Sequence, residues 1–199
     1  MLKVGLRLVI GVGIVVITLI LVMGIGGMML PRRHHVARVA MFAAPRDSVW
    51  AVITDMEHSP GWRTDVTGVR RLADRDGHPV WMQVTKEGNW PLEITVADAP
   101  ARLVAVVADS SAGFGGTWTY DLAHAGSGTR VTIAEDGFVS NPFFRFMARF
   151  FFGLSTGIDN YLVALGRRFG ENVKPSAVES VLRPATLSGA RKSPDRGRV

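Results

Sequence analysis

The chain has 199 residues and no cysteine. That excludes a disulfide framework, a thiolate nucleophile and any cysteine-ligated metal. The five histidines, at 34, 35, 58, 78 and 124, form no HExxH, no His-x-His and no paired His/carboxylate cluster. No metal and no organic cofactor are therefore expected. Ser48, Ser140 and Ser155 lack a GxSxG context, which leaves no nucleophile elbow. Glycines 113, 115 and 116 are not followed by a helical pattern, which argues against a phosphate loop. Acidic residues are missing altogether from positions 1–33, which carry four basic ones. Positions 174–199 carry six basic and two acidic residues. Between them lie thirteen basic and fifteen acidic residues, so the formal net charge of +6 belongs to the two ends. A basic nucleic-acid face on the folded part is excluded on this ground, and no nucleic-acid partner is expected.

One long hydrophobic run is present. Positions 8–30 are uncharged, with Thr18 the single polar side chain. Twenty-three residues at about 1.5 Å each cross a hydrocarbon layer of about 30 Å with some tilt. A cleaved signal would have a shorter apolar core and a small-residue cleavage site. Here Pro31-Arg32-Arg33-His34-His35 follows instead. The run predicts a single-pass membrane anchor. Lys3 and Arg7 flank one side and Arg32, Arg33, Arg38 and Arg46 the other, a margin too even to orient it. The expected organisation is a short flank at 1–7, the anchor at 8–30, a linker at 31–35, one domain at 36–172 and a basic disordered tail at 173–199.

Within the domain, 36–43 reads as a strand. Pro45 and Asp47 then open a short helix with Val49, Trp50, Ile53 and Met56 on its apolar face. Strand patterns follow at 66–72, 80–85, 92–97, 103–108, 117–122 and 129–138, separated by turn signals such as Asp76-Gly77 and Gly126-Ser127-Gly128. Val80, Met82 and Val84 alternate with Trp81, Gln83 and Thr85, as in an antiparallel sheet buried on one face. The last element spans 141–170. Met147, Phe151, Leu154, Ile158, Tyr161, Leu165 and Phe169 recur at helical spacing. Asn141 suits the N-cap, Pro142 the first turn and Gly170 a left-handed C-cap. One long helix, bent at Gly153 and Gly157, is expected to lie on the sheet. The fold class is α+β.

The strings 44–62 (APRDSVWAVITDMEHSPGW), 116–122 (GTWTYDL), 128–137 (GTRVTIAEDG) and 141–171 resemble the SRPBCC superfamily, the START and pollen-allergen-like helix-grip fold. The similarity is greatest to its polyketide cyclase/dehydrase and lipid-transport branch and covers about 36–172. The resemblance implies a seven-stranded antiparallel sheet curled around the C-terminal helix, with an apolar cavity between them for a lipid or other hydrophobic small molecule.

The expected cavity wall comprises Trp118 and Tyr120 from a strand and Phe151, Leu154, Ile158 and Leu162 from the helix. Function is read as membrane-anchored binding, with possible transport, of a hydrophobic molecule. A cyclase or dehydratase is the alternative, and Glu135, Asp136 and His78 are its acid/base candidates. Glu135 and Asp136 are adjacent on a strand, so only one can face inward. A third reading is an interaction module that docks through the six phenylalanines between 143 and 152.

Overall fold

The computed structural model of the protein describes residues 2–178 apart from 87, 110 and 112. Helix α1 (Leu2–Met28) is followed by strand β1 (Arg33–Phe42) and helix α2 (Arg46–Thr54). Strands β2 (Val66–Arg71), β3 (Val80–Thr85), β4 (Asn89–Asp98), β5 (Arg102–Val107), β6 (Phe114–Ala125) and β7 (Gly128–Val139) come next. Helices α3 (Pro142–Met147) and α4 (Thr156–Arg168) precede a short strand β8 (Ser176–Ala177). The sheet order is β2-β3-β4-β5-β6-β7-β1-β8, with every pairing antiparallel.

The fold is α+β, as expected, but its sheet has eight strands rather than seven. The extra one comes from residues assigned to the tail. Ser176 and Ala177 pair with Val39 and Arg38, and Arg38 Nη2 donates to the Pro175 carbonyl at 3.2 Å. The rest of the tail, 179–199, lies outside the described residues. Strand β1 also starts at Arg33, inside the expected linker, because residues 33–35 have partners on β7 at 136–138.

The predicted single helix over 141–170 is two helices. Asn141 is the N-cap, its Oδ1 accepting from the Phe143 and Phe144 amides at 2.9 and 3.4 Å. The chain then widens into a π turn over Ala148–Phe152 and breaks at Gly153, whose φ of 77° lies in the left-handed region. Helix α4 restarts at Thr156. A glycine at that φ interrupts the i to i−4 ladder without steric cost, which a side chain would not allow. The apolar stripe therefore does not run along one surface. Its second half, in α4, buries Ile158, Tyr161, Leu162 and Leu165; its first half leaves Phe150, Phe151 and Phe152 exposed. Gly170, with φ 71°, follows the end of α4 as expected.

Helix α4 lies in the concave side of the sheet. Ile158, Leu162 and Leu165 are fully buried in one cluster with Val49, Leu103, Val131 and Ile133. Each such side chain contributes roughly 1.5–3 kcal/mol relative to exposure. Polar clamps fix the helix against β1. Arg38 Nε donates to Asp159 Oδ1 at 2.6 Å, and Glu171 accepts from the amides of Ala43 and Ala44 at 2.8 and 2.9 Å.

Helix α1 projects from this body. Residues 10–28 are long and apolar enough to cross a bilayer, and Ile10, Ile14, Ile17 and Leu21 are more than half exposed. Its last turns rest on α3. A Cβ on Gly27 would come within 1.8 Å of the Pro142 carbonyl, so only glycine permits this approach.

Candidate ligand cavity

Strand alternation builds the cavity between sheet and α4. On β6, Gly116, Trp118 and Tyr120 point inward at two-residue steps, and on β5 Ala105 and Val107 do the same. Trp90 and Leu92 of β4 and Phe138 of β7 complete the apolar wall. The space has a volume of about 430 Å³, within the range of small-molecule sites. Gly116 permits close strand packing there, since a Cβ would sit 2.6 Å from the Asp136 carbonyl.

One end of the cavity is polar. Arg63, in the segment before β2, is held by Asp65 at 2.5 Å and by Gln83 Oε1 at 3.4 Å, and its guanidinium stacks 5.1 Å from the Tyr161 ring. Burial is the largest single influence on Arg63 and opposes its charge, but the Asp65 hydrogen bond and the electrostatic attraction of Tyr161, Asp65 and Tyr120 together outweigh it and the pKa rises. Burial likewise works against the Asp65 carboxylate, yet the Arg63 contact holds it below the usual carboxylate range. Tyr120 and Tyr161 stand beside this pair with ring centroids 5.5 Å apart. Burial pushes the Tyr120 hydroxyl up to about 12 and raises Tyr161 well above the ordinary phenol value. The ion pair neutralises itself, so this end presents the neutral Tyr120 phenol, an amide and a compensated charge pair, with Tyr161 buried behind them. That suits a hydroxyl or carbonyl group better than a free ion.

The opposite rim is formed by Phe114, Phe138, Val139 and His34. It lies where β1 leaves α1. His34 Nε2 is 3.4 Å from Glu135 Oε1, and both line the cavity.

The six expected wall residues separate. Trp118 and Tyr120 stand on the cavity wall. Ile158 and Leu162 lie in the solid core beneath, with no exposed surface, and the α4 residue that meets the cavity is Gly157. Phe151 is 63 % exposed, and Leu154 borders a separate cleft near the end of α1. The break at Gly153 explains both displacements, since it turns the segment before α4 away from the sheet. Of the acid/base candidates, Glu135 points into the cavity, whereas Asp136 points outward to His35 at 2.7 Å. His78 sits in the β2–β3 turn, paired through its backbone with Arg75, away from the cavity. Arg63, Asp65 and Gln83 were not singled out in the sequence, because polar residues in a loop and on an alternating strand read as solvated. Among the described residues no group of three or more His, Asp or Glu is placed to hold a metal ion.

Solved structures with the same architecture include a START superfamily protein from Mycobacterium smegmatis, at 16 % identity and TM-score 0.55, covering 68 % of this chain and 96 % of that one. The Zhui aromatase/cyclase from Streptomyces sp. R1128 shares 17 % identity at TM-score 0.56, covering 68 % and 93 %. Norcoclaurine synthase from Thalictrum flavum shares 10 % at TM-score 0.56, covering 69 % and 93 %. At these identities the likeness is one of fold. No curated protein matches the chain. The family described as polyketide cyclase / dehydrase and lipid transport matches over residues 33–169, which span strands β1 to β7, the cavity and α4. On that match the chain belongs to the polyketide cyclase/dehydrase and lipid-transport family.

Proposed function

We propose that the protein is a membrane-tethered binder of a hydrophobic small molecule or lipid carrying one neutral polar group. The observation that carries the reading is the cavity of about 430 Å³, aromatic along its walls and polar at the Arg63–Asp65–Gln83 end. A largely apolar hollow of this size in a folded domain is otherwise a loss of packing. Its rim includes His34, six residues after the end of α1, which supports delivery between bilayer and cavity. Gentle purification of the full chain followed by mass spectrometry should show an apolar molecule bound in a fixed ratio. An empty cavity that also rejects an uncharged naphthylamine probe would overturn the reading.

His34 and Glu135 favour a second reading, a cyclase- or dehydratase-like enzyme. They form an acid/base pair of the kind such chemistry requires, at the cavity wall. Glu135→Gln separates the two. A binder keeps its ligand with affinity within about threefold, whereas an enzyme loses on the order of a hundredfold or more in turnover.

A further inference from the structure

Beside the cavity rim is a second cleft of about 330 Å³, bounded by residues 30–35, Val139 and the turn after α3. Its charged lining is one-sided. Arg32, Arg33, Arg145 and Arg149 border it, and no carboxylate does. The two histidines on its edge already face carboxylates of β7, His34 with Glu135 and His35 with Asp136. None of the four arginines forms an ion pair among the described residues.

Arg145 is the telling group. It is 8 % exposed, and its Nη1 donates to the Leu30 carbonyl at 2.7 Å. Its Nε is buried with no partner. A buried cationic donor left unpaired is costly, and the missing acceptor is expected to be an anion. The neighbouring surface says where that anion comes from. Phe144, Phe150, Phe151 and Phe152 are 57–63 % exposed on the segment that contains Arg149. The last turns of α1 dock on the same segment, with Gly26 against Phe146 and Gly27 against Pro142. A bilayer that contains α1 therefore meets these phenylalanines at its surface. Exposed aromatics beside arginines match the interfacial layer, with apolar side chains among acyl chains and cations at phosphates.

We infer that this cleft binds the headgroup phosphate of an anionic phospholipid, whose acyl chains run along the exposed phenylalanines. The inference rests on the reading that α1 spans a bilayer. Arg145 Nε and the Arg32, Arg33 and Arg149 guanidiniums supply the donors. The bound lipid would sit next to the cavity rim and hold it at the membrane surface.

The test uses the full chain in maltoside micelles, titrated with dioctanoyl-phosphatidylglycerol, dioctanoyl-phosphatidylcholine or inorganic phosphate. Phosphatidylglycerol should bind at least about tenfold more tightly than phosphatidylcholine. The triple variant R32Q/R33Q/R149Q alters exposed positions only and should lose about tenfold or more of that affinity at an unchanged melting temperature. Because the chain lacks cysteine, Phe151→Cys gives a single site for a spin label. In phosphatidylcholine/phosphatidylglycerol vesicles that label should be relaxed by oxygen rather than by a water-soluble nickel chelate. Equal affinity for the two lipids, or a triple variant that binds as wild type, would overturn the inference. So would inorganic phosphate matching phosphatidylglycerol, or a label that reports water or protein contact, because the cleft would then serve a soluble anion or a partner protein. Uptake of the naphthylamine probe reads the large cavity separately. Loss of that uptake alone would count against the proposed function and not against the headgroup site.

Discussion

Two phenols beside the Arg63–Asp65 pair make the interior of the cavity directly observable. Tyr120 and Tyr161 are the two tyrosines of the chain, so the phenolate absorbance band reads these residues and no others. Burial raises both, Tyr120 to about 12. An unfolded tyrosine ionises near pH 10. The folded pKa is thus higher than the unfolded one, and the native state holds protons that the unfolded state releases. Stability from this source is complete below about pH 10 and is lost as pH rises through the folded value. Native protein should show almost no phenolate at pH 10, and the band should appear together with loss of the far-ultraviolet fold signal near or above pH 12. Two phenolates titrating freely at pH 10 in folded protein would place both hydroxyls in water. Asp55 and His58 form a contrast. They hydrogen-bond each other on the surface, which lowers Asp55 and raises His58, but full exposure leaves them no comparable hold on the fold.

At the scale of elements, α4 offers the sharpest test of where the cavity ends. Gly157 sits near its start, and a Cβ there would lie 3.7 Å from the Trp118 ring, an ordinary contact. Gly157→Ala should raise stability by roughly 0.5 kcal/mol, because glycine costs a helix backbone entropy. Gly157→Phe should fill the cavity and reduce naphthylamine uptake by about tenfold or more while the thermal melt stays within a few degrees. Ile158→Trp, one residue on, should instead destabilise by about 1–3 kcal/mol, since Ile158 is fully buried in solid core. Equal behaviour of the two bulky variants would mean that the helix borders no cavity. These neighbours also show what a sequence discloses. Asn141 as N-cap and Gly170 after the C-terminus are local signals, and both appear where the pattern puts them. The strand alternation around Trp118 and Tyr120 sets a shared face, because period two is a local property. Gly153 was legible as a bend, but its full break of the helix in two was not. A stripe repeating every three or four residues continues through a glycine on paper, and the left-handed φ is imposed by the docking of α3 on α1 and of α4 on the sheet. Strand β8 was hidden for a similar reason, since two residues pair only when Arg38 and Val39 offer them an edge. Arg63 and Gln83 were hidden because burial of a loop arginine depends on Tyr161, almost a hundred positions away in sequence.

For the whole molecule, the decisive question is what α1 does. Twelve of its large apolar side chains from Ile10 to Met28 are about half exposed or more, and no water-soluble fold leaves such a surface uncovered without cost. A bilayer would cover them. A secretory signal passes the same test of length and composition, so the two must be told apart by fate rather than by sequence. An anchor is joined rigidly to the domain it holds, and here the joint is specific. Arg145 donates to the Leu30 carbonyl, and the Gly26-Gly27 turn fits under Pro142 and Phe146. A segment destined for removal has no need of a fitted seat. The expectation is that the full chain stays with membranes through alkaline carbonate washing and that the mature N-terminus precedes residue 30. Gly27→Leu should leave the membrane association intact, since it adds apolar surface. It should nonetheless weaken the seat of α3, because the leucine side chain cannot occupy the 1.8 Å gap to the Pro142 carbonyl. The readout is limited proteolysis at 140–156, which should accelerate severalfold in the variant as the local opening free energy falls. Release of the unaltered full-length chain by carbonate, or a mature N-terminus near residue 35, would remove the anchor, and cleavage at 140–156 at the wild-type rate would remove the seat.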